Sequence, residues 1–394
     1  MLLTERMQVG WSRALFDLCH AAKDLYNRAN YVVRQQFFKD GRRVLYGELD
    51  ALLKRELAYR MLPAQTSQQT LRLLDKNWKS FDEAMKEWKV HPDRFLGMPR
   101  PPGYKDKDGE SIATFTNQNA KVRDGHVRFP KKCGIPPIKT RIGEFHQVRV
   151  IPRGSSYVVE VVHEKEVRER ARDPSRAIAM DIGVNNLVAC VNNVGLAPFL
   201  ISGGAAKSIN QYYNKERARL QSAKDLRGCR RDSTRMRRLA AKRNDKVRDY
   251  FHKASKYAID YCERNAIGTI VVGYNEKWKQ GVNLGRRGNQ NFVQLPHARL
   301  VQMIRYKAEL AGIRVVEVEE SHTSKCSALD GEPICHHDAY AGKRVKRGLF
   351  VSEGGVAINA DVNGAYNIMR KAVPESLRGY GIEGLALVPR FVAI

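Results

Sequence analysis

No run of about eighteen apolar residues occurs in the 394-residue chain, so nothing in it reads as a membrane-spanning helix. The first ten residues also lack the charged-then-apolar pattern of a secretory leader. A membrane partner is therefore not expected. Cysteine is sparse, seven residues with no paired spacing, which excludes a disulfide framework and fits reduced thiols. Acidic residues are outnumbered, 42 against 69 Lys plus Arg, leaving a net charge of +27. Such an excess asks for a polyanionic partner, with nucleic acid as the first candidate. At 43% hydrophobic residues the chain is globular and long enough for two or three domains.

Proline is absent before Pro63, and Ala14, Leu15, Leu18 and Ala22 recur at three- and four-residue steps, so residues 12–95 are expected to be mostly helical. The stretch 67–81 is amphipathic, with polar and basic residues on one side. It reads either as a solvated helix or as one facing nucleic acid. Pro99, Pro101, Pro102 and Gly103 then mark a loop. Short alternating pieces at 113–115, 126–129, 147–151 and 157–163 predict the strands of a small β-barrel. The charged run 164–172, followed by Asp173-Pro174, reads as a linker.

Beyond it, 177–189 with Val191 predicts a β-hairpin turning at Val184-Asn185-Asn186. Residues 215–250 carry 14 Lys or Arg against 5 acidic residues, a local charge of +9. Arg227, Arg230, Arg231, Arg235, Arg237, Arg238, Lys242 and Arg243 are its candidates for phosphate contacts. The alternative is a solvated helix. Further strands are expected at 269–273 and 313–320, with a helix over 301–311 ending at Gly312. Pro296, after the amide-rich run 289–295, suits a helix start, and Trp278 reads as a core aromatic. Together these elements predict a mixed sheet with helices.

Two carboxylates stand out. Asp181 interrupts the apolar run Ala177-Ile178-Ala179-Met180, and a carboxylate on a core strand is costly unless something satisfies it. Asp361 lies where the last helix begins, with Ala365, Ile368 and Met369 behind it at helical spacing. Alone it could be a plain N-cap. Paired with Asp181, it points to a divalent-metal site, and oxygen ligands suit magnesium.

Three motifs in order, Met180-Asp181-Ile182-Gly183, Thr323-Ser324-Lys325-Cys326-Ser327 and Asn359-Ala360-Asp361-Val362-Asn363-Gly364-Ala365-Tyr366-Asn367-Ile368, with the basic arm between the first two, resemble the TnpB family. TnpB proteins are transposon-encoded relatives of the compact type V CRISPR effectors. The resemblance covers 176–373 well and the N-terminal half by layout only. It implies an α/β chain in which an RNase H-like RuvC nuclease domain follows a wedge β-barrel carrying an inserted helical recognition lobe. The expected ranges are 1–12 for the first part of the wedge, 13–95 for the lobe, 96–172 for the barrel, 173–324 and 350–394 for the nuclease domain, and 325–349 for a degenerate zinc-ribbon-like insert. The implied activity is RNA-guided cleavage of DNA next to a short adjacent motif. Guide RNA and double-stranded target DNA would be the partners, and a mobile element or a CRISPR locus the setting.

The chain departs from that family twice. A catalytic Glu usually ends the strand that here finishes Ile270-Val271-Val272-Gly273. A two-metal site needs further anionic ligands, and strand alternation favours Glu320, which shares a face with Val316 and Val318. Glu319 is the alternative and Glu276 a more distant one. Asp181, Glu320 and Asp361 would thus hold two magnesium ions about 4 Å apart. The second departure is the metal-binding ribbon. Cys326 and Cys335 remain, with His336 and His337 adjacent, which is not the spacing of zinc ligands, so no zinc is expected. Lys343, Arg344, Lys346 and Arg347 look instead like a basic hairpin tip that grips the substrate strand, or a solvated loop. Two other readings stay open: a guided DNA-binding protein that has lost cleavage, and a guide-independent structure-specific nuclease.

Overall fold

The computed structural model describes residues 1–167, 172–229, 231–275, 285, 294–346, 348–373 and 387–394. The chain forms two compact units, Met1–Glu166 and Val167–Ile394.

The first unit joins a helical layer to short sheets. Strand β1 (Leu2–Gly10) pairs antiparallel along its whole length with β7 (Ser156–Glu164). With β6 (Gln147–Pro152) and β2 (Ala113–Thr116) they make a four-stranded sheet in the order β1-β7-β6-β2. A separate three-stranded sheet holds β3 (Lys121–Arg123), β4 (His126–Arg128) and β5 (Ile138–Lys139). Its first hairpin turns at Asp124-Gly125, both at positive φ (53° and 68°), which is the chemistry a two-residue turn requires. Among the described residues these strands form two open sheets and are not closed into a barrel by backbone hydrogen bonds.

Helix α1 (Arg13–Asp40) starts at Ser12, whose hydroxyl accepts from the Leu15 amide, and stops at Gly41 with φ 73°; the cap stabilises it by about 1 kcal/mol. Two shorter helices, α2 (Tyr46–Leu53) and α3 (Leu57–Arg60), lead into α4 (Ala64–Val90). Leu15, Ala22, Leu25 and Ala29 of α1 share a core with Leu71, Leu74 and Trp78 of α4 and with Phe115, Val148 and Val150 of the sheet. The buried face of the 67–81 stretch comprises Ser67, Thr70, Leu71, Leu74 and Trp78. Buried Asn30 accepts from Trp78 Nε1 at 3.0 Å and donates to Pro102 O at 3.0 Å, so the indole N–H is satisfied within the core.

The second unit is built on a six-stranded mixed sheet. Its members are β8 (Ala177–Asp181), β9 (Asn186–Asn192), β10 (Phe199–Ser202), β11 (Thr269–Gly273), β12 (Arg314–Val318) and β16 (Arg390–Val392), in the order β12-β11-β8-β9-β10-β16. Strand β11 runs parallel to both β8 and β12, whereas β8 and β9 form the expected antiparallel hairpin. Edge strand β16 has no counterpart in the sequence reading. Between β10 and β11 lie two long helices, α5 (Gly204–Leu226) and α6 (Thr234–Arg264), which are the basic arm. Helix α7 (His297–Leu310) precedes β12, and α8 (Ala360–Ala372) follows the insert.

Period-two alternation divides the sheet between two cores. Ile178, Met180, Ile270 and Val272 pack with α6 and α7 through Phe251, Ile259, Leu300 and Ile304. Ala177, Ala179 and Val271 pack with Val362, Ala365, Ile368 and Met369 of α8. Asp181 and Gly273 continue the second series, so both point toward α8.

Strands β13 (Lys343–Lys346), β14 (Leu349–Val351) and β15 (Ala357–Asn359) form a small antiparallel sheet. The insert boundary expected at 349/350 runs through this sheet. β14 bonds to β13 on one side and to β15 on the other, so the insert's pairing extends to Asn359, directly before α8.

Candidate carboxylate centre in the C-terminal unit

Helix α8 lies close over β8. A Cβ placed on Gly364 would sit 2.8 Å from Asp181 Oδ2, so the approach of helix to carboxylate depends on that glycine. The N-cap of α8 is Asn359, whose Oδ1 accepts from the amides of Asp361 (3.0 Å) and Val362 (3.3 Å). With Asn359 as the cap, the Asp361 carboxylate faces the cleft. Its Oδ2 accepts from Asn186 Nδ2 at 2.7 Å, and its Oδ1 is 3.4 Å from Arg344 Nη2. Asp181, Asp361, Asn185, Asn186 and Arg344 line a cleft of about 330 Å³.

Glu320 approaches the same place from the far side of the sheet. β12 ends at Val318, two residues short of the strand read from sequence. The Glu320 amide is held by Asn275 Oδ1 at 2.9 Å, and its carbonyl accepts from Thr323 Oγ1 at 2.9 Å. Its side chain turns inward over Gly273. A Cβ added there would meet Glu320 Oε1 at 2.8 Å and Cγ at 3.0 Å. The Glu320 carboxyl thus passes through space that any other residue at 273 would occupy.

Electrostatics tie the three acids together. Burial raises the Asp181 pKa well above the usual carboxylate range, and the charges of Glu320 and Asp361 raise it further against the opposing pull of Arg344. Burial alone lifts Glu320 to about 7. Its Oε1 is buried with no hydrogen-bond partner. Partly buried acids that crowd Asp181, with one orphaned oxygen among them, are donors that would suit a hard divalent cation. No group of three or more His, Cys, Asp or Glu is arranged to hold an ion among the described residues, and the cationic neighbour of Asp361 is Arg344.

The other predicted residues separate. Glu319 is exposed, and its carboxylate accepts from the Ser321 hydroxyl, so it does not join the acids. Glu276 and Trp278 lie outside the described residues, as do Arg230 and Arg347 of the nucleic-acid set. Arg227, Arg231, Arg235, Arg237, Arg238 and Lys242 are exposed on the α5–α6 arm. Arg243, grouped with them in the sequence, is half-buried: Nε bonds Asn210 Oδ1 at 2.7 Å and Nη2 bonds Gln294 O at 2.6 Å. Arg243 is thus held by internal bonds. Lys343, Arg344 and Lys346 are exposed on β13, but Arg344 reaches Asp361. Asn186, Gly273 and Gly364 stand at the centre although the sequence reading gave them no site role. Asn186 lay in the quoted hairpin turn, and the Asn363-Gly364 step of the last motif placed a glycine one helical turn beyond Asp361.

In the insert, Cys326 is buried and Cys335 exposed. The stretch is knit by the carboxylate of Glu332, which accepts from the amides of Ser327 (2.6 Å) and Ala341 (2.9 Å). Helix α8 holds it through Asn363, bonded to Ala328 N and Cys326 O, and Asn367, bonded to Thr323 O and Cys326 O.

With this geometry in place, two family profiles match the chain. One, described as "Probable transposase", covers residues 156–279, and the other, "Cas12f1-like, TNB domain", covers 297–368. The chain is thus similar in its C-terminal half to TnpB-type transposon proteins and to the compact type V effectors. It is 25% identical over 407 residues to the "TnpB-like protein ORF457" of Acidianus two-tailed virus, covering 92% of this chain and 84% of that protein. It is also 25% identical over 242 residues to the "CRISPR-associated endodeoxyribonuclease Cas12f1" of Sulfoacidibacillus thermotolerans, covering 57% and 54%. The solved structure of a Cas12f1-sgRNA-target DNA complex superposes with a TM-score of 0.54 at 16% identity, over 90% of this chain and 81% of that one. That likeness is one of fold. No helix of the described residues is long and apolar enough to cross a membrane.

Proposed function

We propose that this protein is an RNA-guided DNA endonuclease whose Asp181, Glu320 and Asp361 hold magnesium in a RuvC-type centre, cutting DNA next to a short adjacent motif. The observation that carries this reading is Glu320, a half-buried acid with one buried, orphaned oxygen, turned toward Asp181 through the space left by Gly273. A chain that had abandoned hydrolysis would gain stability by losing such groups. Bound magnesium would supply the Lewis acidity for phosphodiester hydrolysis.

The chain's own residues orient the site. Asn186 fixes one oxygen of Asp361, Asn275 and Thr323 fix the backbone at Glu320, and Arg344 offers a guanidinium at the rim where a phosphate would enter. Exposed Arg and Lys of the α5–α6 arm would hold guide and target backbones without reading bases, leaving sequence choice to base pairing. The helical part of the first unit would act as the recognition lobe and its sheets as the wedge. A mobile element or a CRISPR locus would be its genetic setting.

The test is plasmid cleavage by protein purified with its own RNA, in magnesium. Wild type and Glu319→Ala should cut, while Asp181→Ala and Glu320→Ala should not. A wild type that binds its target and never cuts would end the nuclease reading, and an active Glu320→Ala would end the assignment of the third acid.

A further inference from the structure

We propose that the cleft between α5 and α6 is a base-stacking site that positions the single DNA strand entering the carboxylate centre. This rests on the nuclease reading above. The cleft is about 340 Å³, within the range of pockets that take small organic rings. Tyr212 and Tyr213 line it from α5, and Leu239, Lys242, Arg243 and Lys246 from α6. No acidic residue is among its lining residues.

One side of the cleft is fixed and the other open. Arg243 is locked by Asn210 and Gln294, with its guanidinium 5.9 Å from the centre of the Tyr213 ring. Tyr212, by contrast, is 63% exposed, and Lys242 and Lys246 are exposed beside it. An open aromatic face flanked by flexible cations suits a base on the ring and phosphates on the ammonium groups, whatever the base. The fixed wall means that little has to be ordered on binding. A duplex keeps its bases stacked on one another, so the ligand is a single strand.

Helix α5 links this cleft to the acids. Lys207 Nζ donates to Asn185 Oδ1 at 2.8 Å, and Asn185 lines the carboxylate cleft. Tyr212 follows five residues later on the same helix, about 7–8 Å along its axis and about 140° around it. A strand whose phosphate lies at Asp181 would therefore run around α5 for a few nucleotides before a base meets Tyr212. The strand beside the hydrolytic acids is the one to be cut, so the occupant is DNA and not the guide.

The experiment uses the full protein with its RNA, without magnesium, and a single-stranded deoxyoligonucleotide carrying 2-aminopurine, whose fluorescence is quenched by stacking. Wild type should quench it. Tyr212→Ala should lose the quench and weaken binding about tenfold, while Tyr212→Phe keeps both and shows that the ring is what acts. Lys242→Ala and Lys246→Ala should each lower the salt dependence of binding by about one ion with the quench retained. Equal quenching by Tyr212→Ala, or Tyr212-dependent quenching of a ribonucleotide strand alone, would overturn the assignment. Wild type that cuts its target yet never quenches would also overturn it, leaving the nuclease reading intact. Wild type that quenches as described and never cuts would retain the stacking site and remove the nuclease reading instead.

Discussion

Gly273→Ala is the smallest change that separates the packing of the centre from its chemistry. The added methyl would lie 2.8 Å from Glu320 Oε1 and 3.0 Å from Glu320 Cγ, and well inside contact distance of Ile368 Cδ1. Real carbon neighbours sit near 3.5–4.0 Å, so both side chains must move. Each presents a flexible end to the methyl. Shifting a side chain about 30° from its rotamer costs roughly 0.5–1.5 kcal/mol, so the stability loss should stay near the lower end of the 1–3 kcal/mol typical of overpacking. For a unit of this size that lowers Tm by about 2–4 °C. The effect on cleavage should be far larger, because a reacting group displaced by about 1 Å can cost on the order of 100-fold in rate. Single-turnover cleavage by the RNA-loaded protein, alongside a thermal melt, measures the two effects. Gly273→Glu alone should be at least as impaired, since two acids compete for one space. Combined with Glu320→Gly it should cut faster than either single variant. Wild-type cleavage by Gly273→Ala with an unchanged melt would refute the packing argument, and a double variant no better than the singles would refute the exchange.

Burial holds Glu320 near 7 against 4.5 for a free glutamate. The folded value lies above the unfolded one, so stability should fall as pH rises through that window, by on the order of 3 kcal/mol in all. In magnesium-free buffer Glu320→Gln should flatten that slope, and a variant melting with the wild-type slope would dismiss burial as its cause. Arg344→Ala should leave the melt almost unchanged, because a half-exposed ion pair contributes no more than about 1 kcal/mol. It should also tighten manganese binding by the nucleic-acid-free protein, measured calorimetrically, as a competing cation leaves Asp361. Glu332→Ala strands the buried amide of Ser327 and frees the half-buried one of Ala341, and should cost about 1–3 kcal/mol, with no rescue by added zinc. If wild type instead loses stability on chelation, a metal, and not Glu332, holds the insert.

The legible parts of this fold were those whose residues repeat. Continuous apolar runs at 177–180 and 270–272 mark strands buried on both faces, and the helical spacing behind Asp361 marks α8. The β8–β9 turn announced itself through Asn185 and Asn186. Edge strand β16 is three residues long and leaves too short a pattern to read. The barrel expectation rested on short alternating pieces with turn signals between them, whereas closure depends on which edges bond, and that is a tertiary property. Arg243 shows the same limit, since a basic residue in a basic run declares its charge but not whether Asn210 and Gln294 hold it.

Glu320 was reached from the sequence by extending strand alternation past the point where the strand ends. In the structure the direction of that side chain has a different cause. Beyond Val318 the backbone is held by Asn275 and Thr323 instead of a neighbouring strand, so alternation no longer dictates where a side chain turns. What admits Glu320 inward is the missing Cβ of Gly273, and what keeps Glu319 outward is its bond to the Ser321 hydroxyl. The glycine ending β11 and the acid after β12 are therefore one structural fact, since Glu320 occupies the space beside Gly273; the sequence reading joined them by ligand need and not by packing. Each strand end can be judged only with its neighbour: a glycine beside an inward acid vacates space for a carboxylate, whereas a glycine beside an apolar residue would mark a site that had been emptied.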